Sequence, residues 1–372
     1  MDDQPADRRV IGLVVHPTRP VADSVRTLLD AAARLDATVV ARDTDTGRIA
    51  DDRVTFLDRA AFLDRVGIVV SLGGDGTMLG AMRLLVGRDV PVLGVNHGHL
   101  GFLVEIAPPD LAGAVDRLVA GEFVLEPHSN LDVAVTSGSD VNSHVAFNDV
   151  VLNPAGPPGT TVVDLLVNDA RYGYYRCDAV VACTPTGSTA YNYAAGGPVL
   201  SPSAATVAVT PVAPMSGINR AVVFGATDTI GLHNPAQTTL RITVDGTDAG
   251  RLPPDGTLSV TVRAGSVNVV RLDPTAHAQR SRVKLSLLDL PLRPDQLLDL
   301  VPPRLRDQAR HAGGLASGRF ERCHRKNGAG RPFPGIRKSR RNARQRLRRR
   351  HGIASSGLAA RSRRQTRRGT ES

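Results

Sequence analysis

A chain of 372 residues has room for two domains, and its 41% hydrophobic content supports a sizeable core; with 3% aromatics and no Trp, that core has to be built from Val, Leu, Ile and Ala. The net charge of +10 is a misleading average, because residues 304–372 carry 22 Lys and Arg against three acidic residues and leave residues 1–303 at −9. The high isoelectric point therefore belongs to a tail, and gives no ground for reading the folded body as a nucleic-acid or membrane-surface binder.

In chain order, Val10 to His16 is an apolar strand, Val21 to Leu35 has helical periodicity, Ala37 to Ala41 is a second strand and Phe56 to Arg65 a short helix. Val66 to Leu79 follows, a continuous apolar run suited to a buried parallel strand, broken by Gly73-Gly74-Asp75-Gly76 and continued from Thr77 as a helix. Glycines let backbone N–H groups approach phosphate oxygens, and a helix N-terminus adds partial positive charge, so the natural use of this strand-turn-helix is a phosphate loop. Asp75 is the odd member. A carboxylate beside a polyphosphate repels it unless it organises a metal ion or takes a proton from an attacking hydroxyl, which points to phosphoryl transfer rather than nucleotide storage. A Gly-Asp-Gly turn with no ligand is the plainer alternative. Val90 to Asn96 is a further strand, leading into His97-Gly98-His99-Leu100-Gly101-Phe102-Leu103. Alternating strands and helices predict a parallel, doubly wound sheet with both glycine-bearing segments on one rim.

Pro108-Pro109 and the helical Leu111 to Val119 mark a boundary, after which the chain becomes β-rich. Leu131–Val135, Val145–Leu152, Val162–Val167, Ala179–Cys183, Thr206–Val209, Leu240–Val244 and Leu258–Val262 read as strands of an antiparallel β domain. Within it, Asn148-Asp149 sits inside an apolar run, where a polar pair either needs a partner in a cavity or marks an ordinary turn. The strand at Ala179–Cys183 empties into Thr184-Pro185-Thr186-Gly187-Ser188-Thr189-Ala190-Tyr191, a hydroxyl-rich turn able to hold a sugar or base edge, or simply to cap a helix. Arg282 to Leu290 is a strand or short helix that returns to the first domain. The expected domains are 1–107, α/β, with 274–302 returning to it; 108–273, all-β; and a disordered basic tail, 303–372.

Cys177, Cys183 and Cys323 lack Cys-x-x-Cys spacing, so neither a disulfide framework nor a zinc site follows. The polar, acidic start and the lack of any apolar window of ~18 residues predict no signal peptide and no spanning helix, and hence a cytoplasmic protein.

Taken together, Gly73-Gly74-Asp75-Gly76-Thr77, the Asn96–Leu103 block, Asn148-Asp149 and the Thr184–Tyr191 turn resemble the ATP-NAD kinase (NAD kinase) family, over Val10 to about Pro294. The resemblance implies an α/β domain plus a β-sandwich, and transfer of a phosphoryl group from ATP or polyphosphate to the adenosine-ribose 2′-hydroxyl of NAD. It further implies a divalent cation, Mg²⁺ foremost, and assemblies of two or four subunits. Asp75 is implied as the catalytic carboxylate, with Gly73, Gly74, Gly76 and Thr77 forming the phosphate loop. Asp75, Gly76, Asn148, Asp149, Arg176, Asp178, Thr186, Thr189, Ala190, Tyr191, Asn192 and Thr247 are implied to contact NAD. Two departures stand out: Asp178-Ala179 where the family commonly has Asp-Gly, and Pro157-Pro158-Gly159-Thr160 where a basic or polar rim residue is common. Gly-Gly-Asp-Gly-Thr also occurs in diacylglycerol-type lipid kinases, which the other blocks argue against; a nucleotide sensor without catalysis would have lost the acid that Asp75 supplies.

The tail has no sustained apolar periodicity and contains strings such as Arg346-Leu347-Arg348-Arg349-Arg350, so its charges repel rather than pack. Contact with nucleic acid through counterion release would be steeply salt-dependent and lies outside the chemistry read above. Removal of residues 304–372 is expected to leave phosphoryl transfer intact. Loss of folding or of turnover in the shortened chain would refute that expectation.

Overall fold

The computed structural model describes residues 8–98, 101–137, 140–156 and 159–287. His99, Leu100, Pro157, Pro158, the end of the returning segment from residue 288 and the tail 303–372 lie outside the described residues.

The first lobe comprises β1 (Val10–Val15), α1 (Ala22–Arg34), β2 (Thr38–Arg42), β3 (Thr55–Leu57), α2 (Arg59–Arg65), β4 (Ile68–Gly73), α3 (Asp75–Leu85), β5 (Val92–Asn96) and α4 (Leu111–Ala120). Its strands are parallel in the order β3-β2-β1-β4-β5. All six β4 residues are buried, which is why this strand reads as a continuous apolar run rather than an alternating one. Leu28, Leu111, Val115 and Leu118 of α1 and α4 cover one face; Phe62, Met78, Met82 and Leu85 of α2 and α3 cover the other. The sheet is therefore doubly wound. The helix expected over Phe56–Arg65 begins later. Residues 55–57 pair with β2 instead, and the Asp58 carboxylate accepts the Ala61 N–H at 2.9 Å, an N-cap that sets the helix start at Arg59. Helix α4 lies beyond residue 107, yet shares its core with α1, so the packing changes character only near Val124.

The second lobe contains β6 (Val124–Ser137), β7 (Asp140–Ala146), β8 (Asp149–Pro154), β9 (Thr161–Val167), β10 (Ala170–Cys177), β11 (Ala179–Cys183), α5 (Tyr191–Ala194), β12 (Thr206–Val212), β13 (Ser216–Gly217), β14 (Val222–Gly225), β15 (Ile230–His233), β16 (Leu240–Val244), β17 (Thr247–Leu252) and β18 (Thr257–Arg271), followed by α6 (Pro274–Leu287). One antiparallel sheet runs β14-β12-β11-β8-β16-β17. It faces the β6, β9, β10, β15 and β18 side of the other sheet across a shared core that includes Val150, Leu152, Val180, Ala182 and Ile242 from one side and Leu131, Leu165, Ile230 and Val260 from the other. This is the sandwich.

The two lobes share one sheet of twelve strands, because β18 belongs to both. Its first half pairs with β15, Val269 near its end pairs with Val92 of β5, and β6 follows it along its length. The register with β6 shifts between Arg263 and Val267, where Gly265 adopts φ +58°, so the bend between lobes is made by a bulge at a residue that tolerates that conformation. In place of the single strand expected over Val145–Leu152, β7 ends at Ala146 and β8 starts at Asp149; the interruption is where the polar pair lies.

Candidate active site

In a sheet of order 3-2-1-4-5 the chain reverses direction between β1 and β4, and the crevice outside the carboxyl ends of those strands is the expected ligand site. A cavity of about 470 Å³ occupies that position, lined by His16 and Arg19 after β1, by Gly74, Asp75 and Thr77 after β4, and by Gly98. Asp75 opens α3, with Gly74 as its extended N-cap residue, so the first amides of the helix lack intrahelical acceptors. The Asp75 carboxylate is held across the cavity rim: Phe102 N–H donates to Oδ2 at 2.9 Å and Leu103 N–H to Oδ1 at 3.1 Å. A Cβ on Gly101 would overlap that carboxylate, which explains the glycine. The Asn96–Leu103 segment is anchored in turn by His97 N–H on the Gly73 carbonyl at 2.7 Å and by Arg19, which donates to the His97 carbonyl. Burial, with the positive charge of Arg19 beside it, holds His97 below the ordinary imidazole range. Basic groups on one side and a carboxylate on the other suit a phosphate chain and the group it reacts with.

A second cavity, of about 660 Å³, opens on the sandwich and is lined by Asn148, Asp149, Asp178, Ala190, Tyr191 and Asp245, among others. Phe147 is buried in the same core as Met78 and Met82 of α3, so the residues that follow it are forced to turn outward from that core. They turn around Asp245. Its Oδ1 accepts the N–H groups of Asn148 at 2.7 Å and Asp149 at 3.1 Å, and its Oδ2 accepts that of Phe147 at 3.0 Å. The three amides thus leave the strand ladder for one carboxylate, the physical reason for the break between β7 and β8. Asp245 and Gly246, at φ +45° and +78°, form the two-residue turn of the β16–β17 hairpin. Arg83 of α3 completes the cluster at 3.4 Å from Asp245 Oδ2. Two turns of α3, roughly 12 Å at about 1.5 Å per residue, therefore connect Asp75 to the second cavity.

The hydroxyl-rich turn docks against the same residues. Thr184 Oγ1 donates to the Phe147 carbonyl at 2.6 Å and accepts from Gly187 N–H at 2.9 Å, while Thr184 N–H donates to the Asn148 carbonyl at 2.9 Å. A Cβ on Gly187 would strike the Asn148 carbonyl. The structure brings together Asn148, Asp149, Asp178, Ala190 and Tyr191 on one cavity, and Gly74, Asp75, Gly76 and Thr77 on the other. Other expected contacts fall elsewhere. Asn192 is fully buried and its amide is saturated, donating to the Ser188 and Pro198 carbonyls and accepting from Thr210 Oγ1, so it staples the turn from within. Thr186 turns toward His128 at 3.1 Å, and Thr189 bonds back to the Thr186 carbonyl at 3.3 Å. Arg176 is exposed on β10 beside β13, and Thr247 is exposed just past Gly246; neither lines the cavity. Gly73 ends β4 beneath the loop, packed on Thr77.

Asp245, Arg83, Arg19 and His16 were not singled out from the sequence. The Asp245-Gly246 pair is a hairpin signal between two β-rich runs, and His16 and Arg19 stand directly after an apolar strand, so weak signals existed. Arg83 carried none, being one charged residue on a helix.

A glycine-rich loop bearing a carboxylate at the switch point of a doubly wound sheet, joined through one helix to a polar cavity on a sandwich lobe, defines a nucleotide-dependent phosphotransferase. Residues 11–123 match the ATP-NAD kinase N-terminal domain and residues 147–272 the ATP-NAD kinase C-terminal domain. The chain is 34% identical over 266 residues to an NAD kinase of Gemmatimonas aurantiaca, spanning 70% of this chain and 90% of that protein. It shares its fold with yeast NADH kinase complexed with NADH (TM-score 0.69, 20% identity, 78% of this chain and 91% of that one) and with an NAD kinase from Archaeoglobus fulgidus in complex with ATP (TM-score 0.55, 23% identity, 75% and 98%). The chain belongs to the ATP-NAD kinase family.

Burial and the neighbouring Asp245 push the Asp149 carboxyl up to about 7. Because the folded state holds this proton when the unfolded chain has released it, the Asp149 contribution disfavours folding progressively as pH rises from about 4 to about 7. Asp149→Asn removes that titration. Every pH step of one across this window costs the wild type ~1.4 kcal/mol that the variant does not lose, so the variant is expected to gain several kcal/mol on it between about pH 4.5 and about pH 8, measured by denaturant unfolding. A constant difference between the two proteins at both pH values would refute the assignment.

Proposed function

We propose that the protein is an NAD kinase in which the two cavities hold the two substrates: the phosphates of ATP against the loop at the switch point, and NAD along the sandwich cavity with its adenosine ribose turned toward Asp75. The observation that carries this reading is the placement of the Asp75 carboxylate, held by two backbone N–H groups at the rim of the cavity at the switch point, on the helix whose Arg83 pairs with Asp245 of the second cavity. The ribose 2′-oxygen attacks the terminal phosphorus, its proton passes to a carboxylate oxygen of Asp75, and the bond to the bridging oxygen breaks to release ADP and NADP. Arg19, His16 and the first amides of α3 would balance phosphate charge; Asn148, Asp149 and Asp178 would hold hydroxyls and base edges of the dinucleotide.

Among the described residues there is no cluster of three or more metal-ligating side chains. A cation that keeps waters and substrate phosphates as ligands needs no such cage, and the buried Thr77 Oγ1, with no hydrogen-bond partner in the structure, lies on the same loop as Asp75. Asp75 and Thr77 would hold Mg²⁺ against the nucleotide, where it offsets phosphate charge. A lipid kinase would need an apolar acceptor cleft, whereas the second cavity presents Asn148, Asp149, Asp178 and Asp245. Association into two or four subunits is also proposed. The exposed Tyr172, Tyr174, Met215 and Val223 on β10, β14 and the segment leading into β13 offer apolar area for it.

Incubation with labelled NAD, ATP and magnesium is expected to give NADP; none from the folded protein would overturn the reading, and inorganic polyphosphate in place of ATP identifies the donor. Asp75→Asn keeps size while removing basicity, so turnover is expected to fall ~10²–10⁴-fold with NAD affinity retained. Rescue by raised magnesium would assign Asp75 to the cation rather than the proton, and near-normal turnover would remove it from the mechanism. At about pH 8, above the Asp149 titration, Asp149→Ala is expected to weaken NAD far more than ATP, by ~1.5–3 kcal/mol for a hydrogen bond involving a charged group. Equal loss for both substrates would contradict the division of the cavities.

A further inference from the structure

Arg271, the last residue of β18, has the largest fully buried side chain among the described residues, with 2% of its surface exposed. A guanidinium stays charged, and removing it from water costs several kcal/mol unless partners compensate. Here the partners are specific. Nη1 donates to the Leu103 carbonyl at 2.9 Å and lies 3.5 Å from Glu105 Oε2; Nη2 donates to Glu126 Oε1 at 2.7 Å. Leu103 is the residue whose N–H, at the other end of the same residue, holds Asp75 Oδ1. The guanidinium therefore fixes one peptide of the segment that orients the carboxylate.

The other end of the cluster leads to the second cavity. Burial alone would raise the Glu126 carboxyl, but hydrogen bonds from His128 and Arg271 hold it well below the usual carboxylate range. A carboxylate 2.7 Å from His128 Nε2 requires that nitrogen to carry the proton, so in the neutral ring Nδ1 accepts from the Thr186 hydroxyl at 3.1 Å. Thr186 is thereby tied inward, and the turn it starts continues into Ala190 and Tyr191 on the cavity. Asp75, Leu103, Arg271, Glu126, His128 and Thr186 form one unbroken chain of hydrogen bonds through α3, the loop after β5, β18, β6 and the turn after β11.

We infer that Arg271 is a positioning residue for phosphoryl transfer: it sets the Asp75 carboxylate through Leu103 and locks that setting, through Glu126 and His128, to the turn that borders the dinucleotide cavity. A buried guanidinium has five N–H donors to satisfy, and because one of its acceptors is the carbonyl of the residue whose N–H holds Asp75, that requirement is tied to the carboxylate's setting. The inference rests on the NAD kinase reading above.

The test uses the full chain, with Arg271→Met, Arg271→Lys and each combined with Asp75→Asn, measuring melting temperature, NAD and ATP KM, and kcat per folded molecule. Arg271→Met is expected to lower kcat by at least about tenfold with both KM values changed by less than about threefold, and Arg271→Lys to recover part of the loss. In the Asp75→Asn background the same substitutions are expected to change the residual turnover by less than about twofold, because the group being positioned no longer functions. A multiplicative loss in that background, or an unchanged kcat despite a lowered melting temperature, overturns the inference. If Arg271→Met does not fold, Arg271→Lys, which keeps the buried charge and loses the planar fork, decides by the same cycle. Wild-type protein that forms no NADP would defeat the NAD kinase reading; active wild type with an additive cycle defeats this inference alone.

Discussion

Two strands hydrogen-bonded along their length, β6 and β18, determine where one lobe stands against the other. Because β18 begins in the sandwich and ends beside β5, the parallel and antiparallel halves share one strand, whose ladder with β6 is broken and bent only at the Gly265 bulge. Backbone pairing is stiffer than a flexible connection, and it is the reason that groups contributed by distant stretches of sequence can be held together. Arg271 at the end of β18 and Glu126 at the start of β6 stand at this junction, and their ion pair joins the two strands where the lobes meet.

Charge within the site is arranged by backbone as much as by side chains. Asp75 takes two amides from the segment after β5, and Asp245 takes three from the segment before β8. Each carboxylate organises a loop that has no ladder of its own. The two arrangements mirror each other: the first presents a carboxylate to the cavity at the switch point, the second presents Asn148 and Asp149 to the sandwich cavity. Arg83 links them through α3, whose buried face shares one core with Phe62 and Phe147, so the packing of that helix bears on the spacing of the two cavities.

The same arrangement carries a cost in stability. Asp149 and Asp245 bring two carboxyls to one partly desolvated cavity, and the protonation of Asp149 near neutrality is the result. Cys183 lies nearby, its thiol pushed up to about 12 by burial and by Asp149, so it behaves as a core residue rather than a nucleophile. Strain of this kind is common where a protein must present polar groups to a ligand, and a dinucleotide offering hydroxyl and amide donors would relieve it.

Local signals were enough for much of this. Apolar runs without alternation marked β1, β4 and β5 as buried parallel strands, because burial on both faces removes the need for polar positions, and glycines around a lone aspartate marked the turn between β4 and α3. The sandwich was legible as short strands between turn residues, although β10, between β9 and the two-residue β13, escaped because Arg171, Tyr172, Tyr174 and Arg176 are exposed and leave it without an apolar run. What the sequence could not carry were contacts between residues far apart in the chain. That Asn192 faces inward, that Thr186 bonds His128, that Asp245 gathers the amides of residues 147–149 and that Arg271 sits behind Leu103 depend on how two sheets meet. A charged residue looks the same in sequence whether it ends in solvent or at the centre of the molecule; only the tertiary structure, by supplying or withholding partners for its buried charge, decides which.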